Sequence, residues 1–198
     1  MLSGSTASDP SGRRDDVPGA IMVAMSLAVC VLFTPEGQQL VRRLWARLEA
    51  QGVPTLLTHT HRRHSPHLSL AVLRKWDLDT VSAALEPLCG GDPFELSMPG
   101  IVAFTRGRAS LAVGVGADLA RRQQRVCEVL LASGADLHRH YQPGKWVPHV
   151  SLTTGGSAAQ LPLISTLVND ALPLTLGVES AALIDTSTGQ TWGLSGLP

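Results

Sequence analysis

Two pentapeptides of nearly the same composition, Pro66-His67-Leu68-Ser69-Leu70 and Pro148-His149-Val150-Ser151-Leu152, lie 82 residues apart (67 to 149) in a chain of 198 residues. Each carries an imidazole and a hydroxyl two positions apart. On an extended strand, side chains two apart share a face and their neighbours share the other. His67 and Ser69 therefore stand together, as do His149 and Ser151, while Leu68, Leu70, Val150 and Leu152 turn toward a core. If two such strands face each other, two imidazoles converge on one cleft, which is the equipment for in-line displacement at phosphorus. One neutral histidine takes a proton from the attacking water or hydroxyl, and the other, protonated, gives one to the leaving oxygen. Histidine suits both tasks because its pKa lies near neutrality. The serine hydroxyls can donate hydrogen bonds to the non-bridging oxygens, where charge grows. A polar pair on a half-buried strand explains one copy, but packing alone does not require the pattern twice.

The elements that must position these groups follow from local signals. Residues 21–33 (IMVAMSLAVCVLF) read as a buried first strand. Thr34-Pro35-Glu36 is a helix start, and Leu40, Val41, Leu44, Trp45 and Leu48 recur at helical spacing up to Gly52. Residues 55–66 read as a His-rich loop and His67–Leu73 as a strand. Asp77 caps a helix to Leu88, which Gly90-Gly91 stops. Residues 94–104 and 109–115 read as two strands around Gly107. A helix spans 118–132, a loop His138–Val147, and a strand His149–Thr153. Gly155-Gly156-Ser157 opens a helix to about Ala171. Strands 174–185 and 190–194 close the chain. Each histidine-bearing strand follows strand, helix and loop, so the pattern is an internal duplication in outline. Helices mixed with hairpin-like pairs predict an α+β fold of two pseudo-symmetric lobes rather than a doubly wound parallel sheet.

Composition narrows the class. Hydrophobic residues are 44% and charged residues 16%, so the chain is globular. Lys+Arg and Asp+Glu are both 16. A protein that grips long nucleic acid shows a basic excess, because phosphate neutralisation drives that binding. A balanced chain fits a small ligand or an RNA end better. Cys30, Cys89 and Cys127 form no C-x-x-C and no disulfide framework, which predicts reduced thiols in a cytoplasmic protein. The chain is expected to act as a monomer. Residues 1–19 read as a Ser/Gly/Asp-rich tail, and 20–198 as a single bilobal domain. Arg13-Arg14 ahead of an apolar run resembles a signal peptide, but Asp15 and Asp16 follow and no cleavage site does. The run is too short to span a membrane.

Other residues carry two readings each. Arg63, with Arg62, either contacts a phosphate or ribose or belongs to a solvated loop. Tyr141 or Trp146 can stack on a base and Lys145 can meet a phosphate. Trp146 fits core packing equally. His59, His61 and His64, with His138 and His140, read as loop residues at the cleft rim, since no Cys or carboxylate joins them at ligand spacing. No metal and no cofactor are expected. Gly114-Val115-Gly116 lacks the rest of a dinucleotide fingerprint.

On both H-x-S-L motifs, the element order and the stretch Tyr141-Gln142-Pro143-Gly144-Lys145-Trp146-Val147 before the second motif, residues 22–194 resemble the 2H phosphoesterase superfamily and its 2′-5′ RNA ligase-like group. The family pattern is H-x-T/S-h, with h apolar. Serine stands here at both positions where threonine is more usual. The resemblance implies two lobes, each an antiparallel sheet with outer helices, around a central cleft. It implies His67, Ser69, His149 and Ser151 as the catalytic set, with His149 activating water and His67 protonating the leaving oxygen. The implied substrate is an RNA end or small cyclic nucleotide, opened from a 2′,3′-cyclic phosphate to a 2′-phosphate. In vitro 2′-5′ ligation is implied for some members. A non-catalytic RNA-end or nucleotide-binding module and a His-rich metal-dependent hydrolase are the alternatives.

Overall fold

A run of aliphatic residues, LAVCVLF, makes the first strand, β1 (Leu27–Phe33), of the computed structural model, which describes residues 26–198. The tail assigned to residues 1–19, and the start of the strand expected from residue 21, lie outside those residues. Thr34 ends β1 and caps α1 (Pro35–Glu49), its hydroxyl accepting from the Gly37 N–H at 3.3 Å. The helix buries Val41, Leu44, Trp45 and Leu48 along one stripe. After the His-rich loop comes β2 (His67–Lys75). Asp77 caps α2 (Leu78–Leu85) by accepting from the Thr80 N–H and hydroxyl at 2.9 and 2.7 Å. There follow β3 (Phe94–Met98), β4 (Gly100–Phe104), β5 (Arg108–Ala112), α3 (Ala117–Ala132), β6 (Asp136–Leu137), β7 (His149–Ser151), α4 (Leu161–Asn169), β8 (Leu174–Asp185) and β9 (Thr191–Gly193).

The strands form two antiparallel sheets of unequal size. One has the order β3-β8-β1-β2-β6, with β9 also on β8, and the other is β4-β5-β7. The fold is α+β, and each histidine motif lies in its own sheet. Two details differ from the sequence reading. Residues 94–104 are not one strand, because Pro99 offers no N–H to a ladder and the chain changes sheets there. The helix expected from Gly155 starts later, as a 3-10 turn at Ala158–Gln160 leading into α4. Gly155 and Gly156 stay in a loop that meets the β4–β5 turn. Gly107 there has φ +64°, and a Cβ on it would lie 2.6 Å from the Gly156 backbone. Glycine serves that contact and the left-handed turn together.

Helices α2 and α3 pack against each other, and α3 also against β2 and β6, while α1 and α4 pack together and α4 reaches β4. Residues of both sheets share one contiguous core. Strands β2 and β7 run beside each other at its centre without pairing. Two indoles tie them to the opposite half of the chain. Trp45 Nε1, on α1, donates to the Ser151 carbonyl at 2.9 Å, and Trp146 Nε1, just before the second motif, donates to the Ser69 carbonyl at 3.1 Å. Trp45 is fully buried. Trp45→Phe keeps most of the ring volume but removes the donor. It is expected to lower unfolding stability by about 1–3 kcal/mol, read from the urea midpoint; an unmoved midpoint would show that the bond contributes nothing.

Candidate active site

The two motifs share one local device. Leu68, Leu70, Val150 and Leu152 are 0% exposed, while His67, Ser69, His149 and Ser151 are part-exposed on the opposite face. His67 Nδ1 lies 2.7 Å from the Ser65 carbonyl, and His149 Nδ1 lies 2.7 Å from the Val147 carbonyl. A carbonyl only accepts, so each Nδ1 carries the hydrogen and donates it. That choice leaves each Nε2 as the atom available for proton transfer. The acceptor is in both cases the residue before the proline. Proline fixes its own φ and holds the preceding residue extended, which sets the direction of that carbonyl.

The surroundings of the two imidazoles differ. Opposite β2 runs β1, with Leu32 across from His67 and Cys30 across from Ser69. Cys30 Sγ lies 3.6 Å from Ser69 Oγ. Burial works against the charged form of His67, but the neighbouring Cys30 sulfur and the hydrogen bond to the Ser65 carbonyl outweigh it, raising the pKa to about 9. Opposite β7 runs β5, with Ala112 across from His149 and Ser110 across from Ser151. The Phe104 ring sits 4.7 Å from the His149 ring, tilted by 55°. Burial lowers the His149 pKa; charge on His67 and Arg108 lowers it further, against the Val147 bond. The two histidines are thus close enough to feel each other, and they are pushed in opposite directions.

A cleft of about 540 Å³ opens around the second motif, lined by His149 and Ser151 together with Phe104, Arg108, Ser110, Tyr141, Lys145 and Trp146. Tyr141 also interacts with the Ser69 side chain, and burial pushes its phenol up to about 12. It therefore connects the cleft to the first motif. Lys145 Nζ is held at the cleft by Gln142 Oε1 at 2.8 Å. Arg63 is elsewhere, its guanidinium donating to the Thr188 carbonyl at 3.3 Å on the β8–β9 turn. His138 and His140 line the cleft. His59 instead stacks on His64 with 5.8 Å between ring centres, and His61 lies tilted against His64 at 4.1 Å. Burial, then its imidazole neighbours, lower His64 to about 4. Among the described residues no group of three His, Cys, Asp or Glu side chains is placed to hold a metal ion, and no helix is long and apolar enough to cross a membrane.

Sequence reasoning did not single out Phe104, Arg108, Ser110 or Cys30 as site residues. Phe104 and Arg108 flank the turn that leads into the strand paired with β7, so the hairpin signal around Gly107 pointed to them. Cys30 carries no such signal, since it is one apolar-like residue in a buried strand.

Nitrogen NMR of the histidines tests the shared device. At a pH where His149 is neutral, its shifts are expected to report the Nδ1–H form, and His149 is expected to titrate below the ordinary imidazole range while His67 titrates near 9. An Nε2–H form at His149 would overturn the assignment.

No curated protein matches the chain by sequence. Several solved structures share its fold. TT0787 of Thermus thermophilus superposes with a TM-score of 0.59 at 16% identity, covering 87% of this chain and 99% of its own. Escherichia coli LigT complexed with 3′-AMP gives 0.56 at 16% identity, covering 86% and 98%. A structure described as a phosphoesterase gives 0.55 at 16% identity, covering 86% and 94%. The sequence model of one family, described as the 2′-5′ RNA ligase superfamily, matches residues 35–190. That span holds both histidine motifs and the strands and helices that carry them, and the chain belongs to the 2′-5′ RNA ligase superfamily.

Proposed function

We propose that the chain is a metal-independent phosphodiesterase that opens 2′,3′-cyclic phosphates, at RNA ends or on small nucleotides, to 2′-phosphates by two-histidine acid–base catalysis. The observation that carries this reading is the pair of imidazoles with matched Nδ1 anchors and opposed pKa shifts. A pair of titratable groups pushed apart by their environments is suited to acid and base roles. His149, lowered, is neutral at neutral pH and accepts the proton of the attacking water at Nε2. The water oxygen bonds to phosphorus as the bond from phosphorus to the 3′ oxygen breaks. His67, raised, delivers its Nε2 proton to that oxygen. The product is a 2′-phosphate with a free 3′ hydroxyl. Ser69 and Ser151 donate to the non-bridging oxygens, and Arg108 and Lys145 offset their charge. With a 5′ hydroxyl in place of water, the same groups would join RNA ends through a 2′-5′ bond.

Family membership supports phosphoester chemistry in general. The 3′-AMP held by the LigT structure supports a nucleotide-sized ligand for this fold. Trp146 and Tyr141 provide faces for a base. Equal numbers of acidic and basic residues favour one phosphate over a long RNA, and a cytoplasmic monomer fits the reading.

The experiment is a screen of purified protein against 2′,3′-cyclic mononucleotides, an RNA ending in a cyclic phosphate, and 2′-5′ oligoadenylate, with and without EDTA. Turnover is expected to survive EDTA. His67→Ala and His149→Ala are each expected to lower kcat by ~10²–10⁴-fold with the circular dichroism spectrum unchanged. Full activity in both variants would sink the reading, and tight binding without turnover would make the chain a binding module.

The pH dependence follows from the two roles. The base works only when neutral, so kcat/KM rises as pH climbs through the His149 pKa, below the ordinary value for histidine. The acid works only when protonated, so kcat/KM falls as pH passes about 9. A broad plateau across neutrality is expected, and a narrow maximum below neutrality would contradict the assignment.

A further inference from the structure

The cleft has two walls of different make-up. Arg108, Ser110, His149 and Ser151 come from β5 and β7, while His138, His140, Lys145 and Trp146 come from the segment that joins β6 to β7. Among the described residues no Asp or Glu lines the cleft, although acidic and basic residues are equal in number over the whole chain. Arg108 is close enough to His149 for its charge to act on that imidazole. His138 has other surroundings: burial, then charge on His140, Arg74 and Arg139, lower its pKa, against Asp136. Asp136 is itself paired with Arg74 at 2.7 Å. An anion beside His149 is therefore met by Arg108, and the other wall offers a second positive region whose neighbouring carboxylate is already taken.

Backbone bonds fix that second wall. The His138 N–H donates to the Val72 carbonyl at 2.7 Å, and the Tyr141 N–H to the His138 carbonyl at 2.8 Å. The Tyr141 carbonyl in turn accepts from the Gln123 amide at 2.8 Å. The His138 and His140 ring centres lie 5.1 Å apart, with the planes 33° from each other. Each ring has one nitrogen engaged as an acceptor. His138 Nδ1 accepts from the His140 N–H at 3.3 Å, and His140 Nε2 accepts from Arg139 Nε at 3.3 Å. A nitrogen that accepts carries no hydrogen, so the neutral rings hold theirs on His138 Nε2 and on His140 Nδ1. Both rings are donors on their remaining edge. Two such donors on a fixed backbone, in positive surroundings, suit an anion with several oxygens, and in a cleft built for a phosphoester that anion is a phosphate.

We infer that His138 and His140 form a subsite for a second phosphate of the substrate, distinct from the phosphate that reacts. The inference rests on the proposed phosphodiesterase reading and sharpens it. The preferred substrate carries, beyond its cyclic phosphate, either an internucleotide phosphodiester or a 5′-phosphate. The subsite makes and breaks no bond. Its contact with a remote, unreacting group holds the cyclic phosphate against the two motifs.

The test measures kcat/KM of the full chain on two pairs of substrates. One pair is a 2′,3′-cyclic mononucleotide with a 5′-hydroxyl and the same compound with a 5′-phosphate. The other is a dinucleotide ending in a cyclic phosphate and the same dinucleotide with an uncharged methylphosphonate linkage. The charged member of at least one pair is expected to be favoured about 10–100-fold. Preference within the first pair identifies a terminal phosphate as the ligand, and within the second an internucleotide phosphodiester. Equal rates within both pairs overturn the inference. His138→Asn keeps an acceptor for the His140 N–H, as asparagine does at helix caps, but lacks the Nε2 donor. Combined with His140→Ala, it is expected to shrink the preference about tenfold, chiefly through KM. A purely structural role would lower all four substrates together, and an unmoved ratio overturns the inference. Calorimetry with the corresponding four 2′-phosphates needs no turnover. Tighter binding of a charged member by a protein that turns nothing over supports the subsite and removes only the phosphodiesterase reading; turnover with no preference in either pair removes only the subsite.

Discussion

No ladder joins β2 to β7, yet the two imidazoles they carry must keep one separation. What holds that separation is a pair of indole-to-carbonyl hydrogen bonds that cross between the halves of the chain. Trp45 precedes the first motif and bonds within the second; Trp146 precedes the second and bonds within the first. Gln123 adds a third tie, its buried amide donating to the Leu70 and Tyr141 carbonyls at 3.3 and 2.8 Å. It fastens β2 to the turn that brings Tyr141 to the cleft. A site that moves protons tolerates about half an ångström of error in its groups, and side-chain donors on rigid elements supply that precision where sheet pairing does not.

Within this frame the two motifs are alike in scaffold and unlike in surroundings. Proline, carbonyl and Nδ1 repeat the same anchor, so each ring presents the same nitrogen. The neighbouring strand then makes the difference: β1 brings a sulfur, and β5 brings a hydroxyl with an aromatic ring close by. Acid–base catalysis needs two groups of the same kind held at different proton affinities. Burial lowers His149, with Arg108 of the neighbouring strand adding to it, whereas at His67 the sulfur carried by β1 acts against burial.

Much of this was legible from local pattern. The alternation of His and Ser with Leu and Val places polar and apolar faces by geometry alone, and Thr34 and Asp77 cap the helices that their positions announce. Tyr141, Lys145 and Trp146 line the cleft because they approach the second motif along the chain. What escaped depends on distant partners. Nothing local tells that Pro99 sends its flanking strands to different sheets, or that Gly156 stays in a loop because Gly107 comes against it. Arg63 looks like a phosphate contact by proximity in sequence, but the β8–β9 turn claims its guanidinium. Trp45 and Cys30 read as core residues, since burial is what their neighbours show and their polar atoms act across the fold.

The pairing of β1 with β8 has a bearing on how the chain is made. Leu27 stands opposite Asp185, so the sheet beneath the first motif is closed by a strand synthesised long after that motif. A nascent chain that has emerged only as far as the first motif carries β1 with an open, apolar edge and no partner for it, which is the kind of edge that recruits other chains. Long-range pairing of this sort also slows closure of the sheet. The arrangement that gives the two histidines their fixed places therefore leaves a long interval during synthesis when the first of them has none.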